Sequence, residues 1–504
     1  MAQQQLPPNG PDLTKGVALV DFVDGKLAGH VGDEEVLLVH GRTETFAVAA
    51  HCSHYHGPLA EGLVVEDTIR CPWHHACFDL RSGEAVRAPA LSPISCWRVE
   101  QRGGRVFVHG QHEAAKPQAP DRAVDKIVIV GGGAAGFAAA EMLRRRGFRG
   151  SIAMLSADAA VPVDRPNLSK DYLAGSAPED WVSLRPDAYY REEAIDLRLN
   201  TEVIYIDTKA REVVTTGADK VAYDRLLLAT GAEPVRLPIP GAEEPHVHTL
   251  RSLADCRAII DIAKRARRAL VIGSSFIGLE AAAALRAREI DVHVVAPEKR
   301  PMERVLGPEI GDFVRALHEE HGVVFHLEDT VVAIEGRRAT LKSGGIVEAD
   351  LVVVGVGVLP RLTLAEQAGL ELDRGILVNA LLETSVNDIY AAGDIARWPD
   401  LHSGANIRVE HWVVAQRQGQ TAALNMLGER QVFDAVPFFW SQHYAVRINY
   451  VGHAEKWDEI TIDGNVRAKD CLLKYKRSGR VLAVASISRD LASLNAELEM
   501  ERES

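Results

Sequence analysis

The chain has 504 residues, 25% of them charged and 47% hydrophobic, and a formal net charge of −13 at pH 7. That length exceeds what one hydrophobic core supports, so three or four domains are expected. The acidic balance excludes nucleic acid as a partner, because phosphates need a basic footprint. No stretch reads as a signal peptide or a membrane span, and six cysteines without a disulfide framework fit a reducing, cytoplasmic location.

The first chemistry-bearing feature along the chain is a pair of short segments, Cys52-Ser53-His54 and Cys71-Pro72-Trp73-His74. Two thiolates and two imidazoles are the ligand set of a Rieske [2Fe-2S] centre, in which histidines replace two cysteines on one iron and raise its potential. Gly57-Pro58 and Pro72 punctuate the turns that would bring the ligands together. A tetrahedral zinc site obeys the same donor preference. Zinc sites usually take their sulfurs as C-x-x-C, however, and here each loop offers one sulfur and one nitrogen. Cys52, His54, Cys71 and His74 are therefore the expected metal ligands, with His56 and His75 as supporting or surface residues and Cys77 and Cys96 as buried small hydrophobes.

Residues 111–124 are polar, alanine-rich and proline-bearing, and read as a linker. The texture then changes to strand–helix alternation. The apolar run Lys126 to Val130 predicts a buried parallel strand. It leads into Gly131-Gly132-Gly133-Ala134-Ala135-Gly136 and an alanine-rich helix. In a G-x-G-x-x-G turn so placed, Gly131 permits the tight turn, Gly133 lets backbone approach a pyrophosphate, and Gly136 lets helix and strand close up. A second copy follows Ala269 to Ile272, with Gly273 and Gly278 kept and Ser275 in the middle position, where it is expected to crowd a pyrophosphate slightly. Two such units imply two dinucleotides. An electron relay needs one that stays and one that exchanges, which suggests FAD in the first and NADH or NADPH in the second. The acidic residue expected about twenty positions past the first loop, to hold ribose hydroxyls, falls near Asp158.

On these motifs the chain resembles Rieske-fused, FAD-dependent NAD(P)H oxidoreductases of the apoptosis-inducing-factor-like and ring-hydroxylating-oxygenase ferredoxin reductase family. The N-terminal part is similar to Rieske ferredoxins over roughly the first 110 residues. High-potential relatives carry an extra cysteine in each loop; Gly57 and Trp73 stand at those positions, which implies the low end of the range of about −150 to +300 mV. Asp164-Arg165-Pro166-Asn167-Leu168-Ser169-Lys170 is similar to a segment whose lysine lies near the flavin, and the resemblance implies that Glu280 pairs with Lys170 and contacts the nicotinamide. Ala229-Thr230-Gly231 resembles the exit from the FAD domain, and Gly393-Asp394 the second FAD motif, in which Asp394 would accept from the ribityl chain. Glu410-His411-Trp412 and Trp440 resemble segments that pack around the isoalloxazine. The same resemblance adds Gly357 to the cofactor-binding set and Trp412 to the catalytic one. Past the second loop the family's ribose carboxylate aligns with Ala296, leaving Lys299 or Arg300 to meet a 2′-phosphate, while family habit favours NADH. The C-x4-C dithiol of disulfide reductases is missing, so electrons must leave the flavin by another route.

The implied fold is multidomain: an all-β Rieske domain (1–110), a linker (111–124), and an α/β two-dinucleotide, disulfide-reductase-like fold with an FAD domain (125–248 and 370–428) and an NAD(P) domain (249–369). A C-terminal α+β domain (429–504), which often contributes to dimerisation in the family, completes it. The expected activity takes a hydride from NAD(P)H onto FAD and passes electrons singly to the fused cluster, then through the exposed ligands His54 and His74 to an unidentified protein acceptor. Two other readings are a redox-dependent signalling or apoptosis-related NAD(P)H sensor and the reductase component of a specific oxygenase.

Overall fold

The computed structural model describes residues 10–112 and 124–503. Most of the linker expected at 111–124 lies outside the described residues, and the strand preceding it runs through His112. By its contacts the chain divides into two compact units, the first formed by residues 1–119 together with Arg145–Gly147 and Asp490–Arg502, the second by the rest. By contacts the helix Asp490–Glu503 groups, through Arg502, with the N-terminal strands.

The first unit is built on a six-stranded antiparallel sheet and a four-stranded one. Alternation along the strands Glu34–His40 and Thr45–Ala49 divides their side chains between two cores, as a period of two requires. Leu37, Val39, Phe46 and Val48 join the core that also holds Cys52 and Cys71. Val36, Leu38 and Ala47 point the other way, against Trp97, Val106 and Val108. The smaller sheet is a series of hairpins, Leu63–Val65, Thr68–Arg70, Cys77–Asp79 and Ala85–Arg87. The second ligand segment is the tip between its two middle strands.

The second unit repeats one plan twice. Strands Lys126–Val130, Ser151–Leu155, Ile195–Arg198, Arg225–Leu228 and Ile389–Ala391 form a parallel sheet. Strands Arg268–Ile272, Asp291–Ala296, Val323–Leu327, Leu351–Val354 and Val247–Thr249 form another. Each carries an inserted three-stranded antiparallel sheet before its later strands, Val203–Ala222 in the first half and Val331–Glu348 in the second. The central strands are apolar on both faces because both are covered, in the second half by helices on one face and by the three-stranded sheet on the other, which is why they read as continuous apolar runs. A five-stranded antiparallel sheet, beginning with Phe438–His443 and Val446–Gly452, packs its inner face into the core of the second half through Val446, Ile448, Tyr450 and Tyr475. Among the described residues no helix is long and apolar enough to cross a membrane.

Candidate functional site

The two ligand loops are built alike. In each, the cysteine N–H donates forward (Cys52 to Gly57 O, 2.9 Å; Cys71 to Ala76 O, 2.8 Å) and a histidine N–H donates back (His56 to Cys52 O, 3.0 Å; His75 to Cys71 O, 3.1 Å). His56 and His75 close the loops in the left-handed region, at φ 56° and 60°. Cys52 and Cys71 are buried neighbours, and their mutual hydrogen bond, then burial, holds the Cys52 thiol well above the usual thiol range. The imidazoles of His54 and His74 meet edge to face, with ring centroids 5.1 Å apart. Sulfur beside sulfur and nitrogen beside nitrogen is the pairing that a two-iron cluster needs, one iron held by each pair. Among the described residues no three or more His, Cys, Asp or Glu side chains gather about one ion position.

Gly57 is required here. A Cβ at this position would lie 2.7 Å from Cys71 Sγ and 3.2 Å from the Trp73 ring. The expectation that both histidine ligands are exposed needs correction, because His74 is buried at 5% exposure while His54 is half-buried against the partly exposed Tyr55 ring. Of the two readings of His75, the supporting one fits: the side chain is fully buried, and its Nδ1 lies 2.7 Å from Glu497 Oε2 on the helix Asp490–Glu503. From the same helix Glu501 binds Arg70 at 2.7 Å and also pairs with Arg87. Cys77 and Cys96 are buried in the same unit.

The second unit holds a cleft of about 1120 Å³. Of the residues expected to bind cofactor, Gly131, Gly133, Asp158, Arg165, Lys170, Ala229, Thr230, Gly231, Glu280, Gly357, Gly393, Asp394, Glu410, His411, Trp412 and Trp440 all line it. Gly136, Gly273 and Gly278 do not; they are packing glycines instead. A Cβ on Gly136 would sit 2.0 Å from the Gly131 carbonyl, one on Gly273 2.4 Å from the Gly355 carbonyl, and one on Gly278 2.5 Å from the Gly273 carbonyl. Gly131 turns at φ 119°, where a Cβ would strike the Ala229 carbonyl at 2.2 Å. The face of Gly133 is open, with the Arg165 guanidinium 3.6 Å from where its Cβ would be.

Burial, and the neighbouring Arg251, lower the Arg165 guanidinium to about 10. Such crowded positive charge beside a glycine-lined helix start fits a pyrophosphate. Arg251 also donates to Asp394 Oδ2 at 2.6 Å, tying itself to the second FAD motif. Glu410 pairs with Arg408 at 2.7 Å, and His411 meets Phe439 at a tilt of 48° with centroids 4.5 Å apart; Phe439 in turn meets Phe276 edge to face at 4.9 Å. These rings line that side of the cleft with aromatic surface suited to a nicotinamide or isoalloxazine.

The chemical centre of the cleft is Glu280, buried at 3% exposure on the helix that follows the second glycine loop. Its Oε2 accepts from Lys170 Nζ at 2.7 Å and Ser169 Oγ at 2.6 Å, and its Oε1 from Ser441 Oγ at 2.6 Å. At the second glycine loop, the Ser275 hydroxyl donates to the Gly355 carbonyl at 2.7 Å. Arg300 is committed to Asp312 at 2.7 Å and Glu303 at 3.0 Å. Cys256 is buried, with its thiol directed to the Leu168 carbonyl, and none of the six cysteines is in a disulfide among the described residues. Sequence reasoning did not find Arg251 or Arg361, which reach the cleft from outside any motif.

A resident dinucleotide groove, a second glycine loop and a two-cysteine, two-histidine loop pair define an iron–sulfur flavoprotein oxidoreductase that uses FAD and NAD(H). Residues 125–419 match the pyridine nucleotide-disulphide oxidoreductase family model, residues 17–98 the Rieske [2Fe-2S] domain and residues 438–502 the reductase C-terminal domain. The chain belongs to the pyridine nucleotide-disulphide oxidoreductase family, in the branch that carries an N-terminal Rieske domain. It is 32% identical to apoptosis-inducing factor 3 of Homo sapiens over 91% of this chain and 79% of that protein. It is 37% identical to rhodocoxin reductase of Rhodococcus erythropolis over 72% of this chain and 86% of that protein. A covalent putidaredoxin reductase–putidaredoxin complex superposes with a TM-score of 0.73 at 32% identity, covering 76% of this chain and 94% of that one.

Proposed function

We propose that this chain oxidises NADH in the cleft around Lys170 and Glu280, sends the electrons singly to its own cluster at Cys52, His54, Cys71 and His74, and delivers them to a ferredoxin-type protein acceptor. The observation that carries this reading is the buried Lys170–Glu280 pair, placed in a cleft that both glycine-loop halves build, on the same polypeptide as two matching cysteine–histidine loops. FAD bound there supplies the conversion of one hydride into two single electrons.

The chain's own residues set the conditions for that conversion. Arg165 and Arg251 hold the anionic linkage, and Gly131 and Gly133 let the backbone approach it. Glu280 and the Pro166 carbonyl hold the Lys170 ammonium, so that a cation is already in place where negative charge develops. Phe276, Phe439 and Trp412 line the cleft with aromatic surface. Arg300, bound to two carboxylates, is not poised for a 2′-phosphate, which favours NADH. We place the protein in the cytoplasm, in keeping with six cysteines that form no disulfide among the described residues, as a homodimer paired through its C-terminal sheet.

His74→Ala tests the order of events. The Rieske visible absorption and electron-spin signal should vanish, while flavin bleaching by NADH persists at the wild-type rate; loss of bleaching as well would overturn the order. Rapid reduction of ferricyanide and of a ferredoxin separates this reading from a sensor, in which a long-lived reduced complex would form.

A further inference from the structure

The Lys170–Glu280 pair is not the end of its hydrogen-bond network. Ser441 Oγ, which donates to Glu280 Oε1, lies 3.1 Å from His443 Nε2. His443 Nδ1 lies 3.2 Å from His318 Nε2, and His318 Nδ1 lies 3.4 Å from the Tyr444 hydroxyl. His443 and His318 are both fully buried, whereas Tyr444 is partly exposed and stacked at 3.6 Å beneath the exposed His321 ring. An unbroken file of polar groups thus runs from the cleft to the protein surface through an otherwise apolar core.

Donor and acceptor roles along the file follow from its inner end. A carboxylate can only accept, so Ser441 spends its proton on Glu280 and must accept from His443 Nε2–H. His443 Nδ1 then accepts from His318 Nε2–H, and His318 Nδ1 accepts from the Tyr444 O–H. Every hydrogen points inward. Burial, with the nearby Lys170 charge adding to it, lowers the His443 imidazole to about 3, and burial with the adjacent His443 lowers His318 well below its usual range. Burial raises the Tyr444 phenol, countered in part by Arg286. Both rings are therefore neutral at working pH, each with one nitrogen to receive a proton and another to give one, and the phenol keeps the proton it donates.

We propose that Ser441, His443, His318 and Tyr444 form a proton relay between Glu280 and solvent. The inference rests on the redox reading above and deepens it. Oxidation of NADH to NAD⁺ yields two electrons and one proton, and two one-electron iron–sulfur acceptors take the electrons only. One proton must therefore leave the buried site in each turnover. Once it reaches the Glu280 carboxylate, handing it out breaks the O–H bond at Glu280 and forms one at Ser441. His443 then gains a proton at Nε2 and gives one from Nδ1, His318 does the same, and Tyr444 releases one to water. Such a passage leaves every hydrogen pointing inward, which is the arrangement that the ionised Glu280 imposes. Turning the hydroxyls and exchanging ring tautomers resets the file.

The test has two arms. Nitrogen-15 spectra of histidine-labelled, FAD-loaded protein should show His443 and His318 as Nε2–H tautomers at pH 7; an Nδ1–H tautomer at either overturns the relay. In single turnovers in weak buffer with a pH indicator, Tyr444→Phe and His318→Gln should delay proton appearance by at least about tenfold relative to wild type. Flavin bleaching by NADH should stay within about twofold, since neither residue reaches the cleft. Proton release at the wild-type rate in both variants would refute the proposal. Failure of the wild-type protein to bleach with NADH would instead sink the redox reading, leaving the tautomer measurement to judge the relay.

Discussion

Lys170→Met removes the one cation that Glu280 holds in the cleft. At the 2.7 Å separation of the pair and an effective dielectric constant of about 20, their attraction is about 6 kcal/mol. Desolvation offsets part of this, and one-sided loss of a buried partner costs about 3–5 kcal/mol. The side chains are 11% and 2% exposed, so water cannot replace the missing charge. A fixed charge aimed at developing negative charge contributes about 2.7–4 kcal/mol to a transition state, so anaerobic stopped-flow bleaching of the flavin by NADH should slow by about 10²–10³-fold. Glu280 acts on hydride transfer through Lys170. Glu280→Gln alone should therefore cost less, and Lys170→Met/Glu280→Gln should be no slower than Lys170→Met. The double variant should also recover most of the lost thermal stability, since no buried charge remains unpaired. A Lys170→Met rate within about threefold of wild type, or a double variant slower by a further order of magnitude, would refute this account.

Gly57→Ala places a methyl 2.7 Å from Cys71 Sγ, so iron per chain should fall sharply in elemental analysis while flavin per chain stays constant. Glu497→Ala leaves the fully buried His75 without its carboxylate and removes a neighbour of Arg70; the urea midpoint for loss of the Rieske absorption should drop by the equivalent of about 3 kcal/mol. His443 has its native-state value lowered to about 3 against an ordinary value of 6.5. Between those limits the unfolded chain binds a proton that the folded chain refuses, so its contribution to stability is complete above pH 6.5 and is lost as pH falls. The slope is about 1.4 kcal/mol per pH unit, and denaturant midpoints of His443→Phe should fall less steeply from pH 6.5 to 5 than those of wild type.

Local signals made much of this molecule legible. The cysteine–histidine segments each complete one loop within six residues, so their spacing reports the loop geometry directly. The first glycine loop is equally local, its demands set by the Ala229 and Gly131 carbonyls. What escaped the sequence is pairing at long range. Arg251 meets Asp394 across 143 positions and Ser441 meets Glu280 across 161, and a lone arginine or serine carries no mark of its partner. Even where a motif was visible, its tuning was not. Ser275 stood out as a departure, yet only the fold brings the Gly355 carbonyl to its hydroxyl. The burial of His74 likewise depends on packing that no ligand spacing encodes.

The bond from His75 to Glu497 spans 422 positions. During synthesis the second loop is made early, while the carboxylate that secures it reaches the ribosome's exit only after both nucleotide-binding halves have been translated. Iron–sulfur loading of a nascent chain would meet a loop still lacking its buttress.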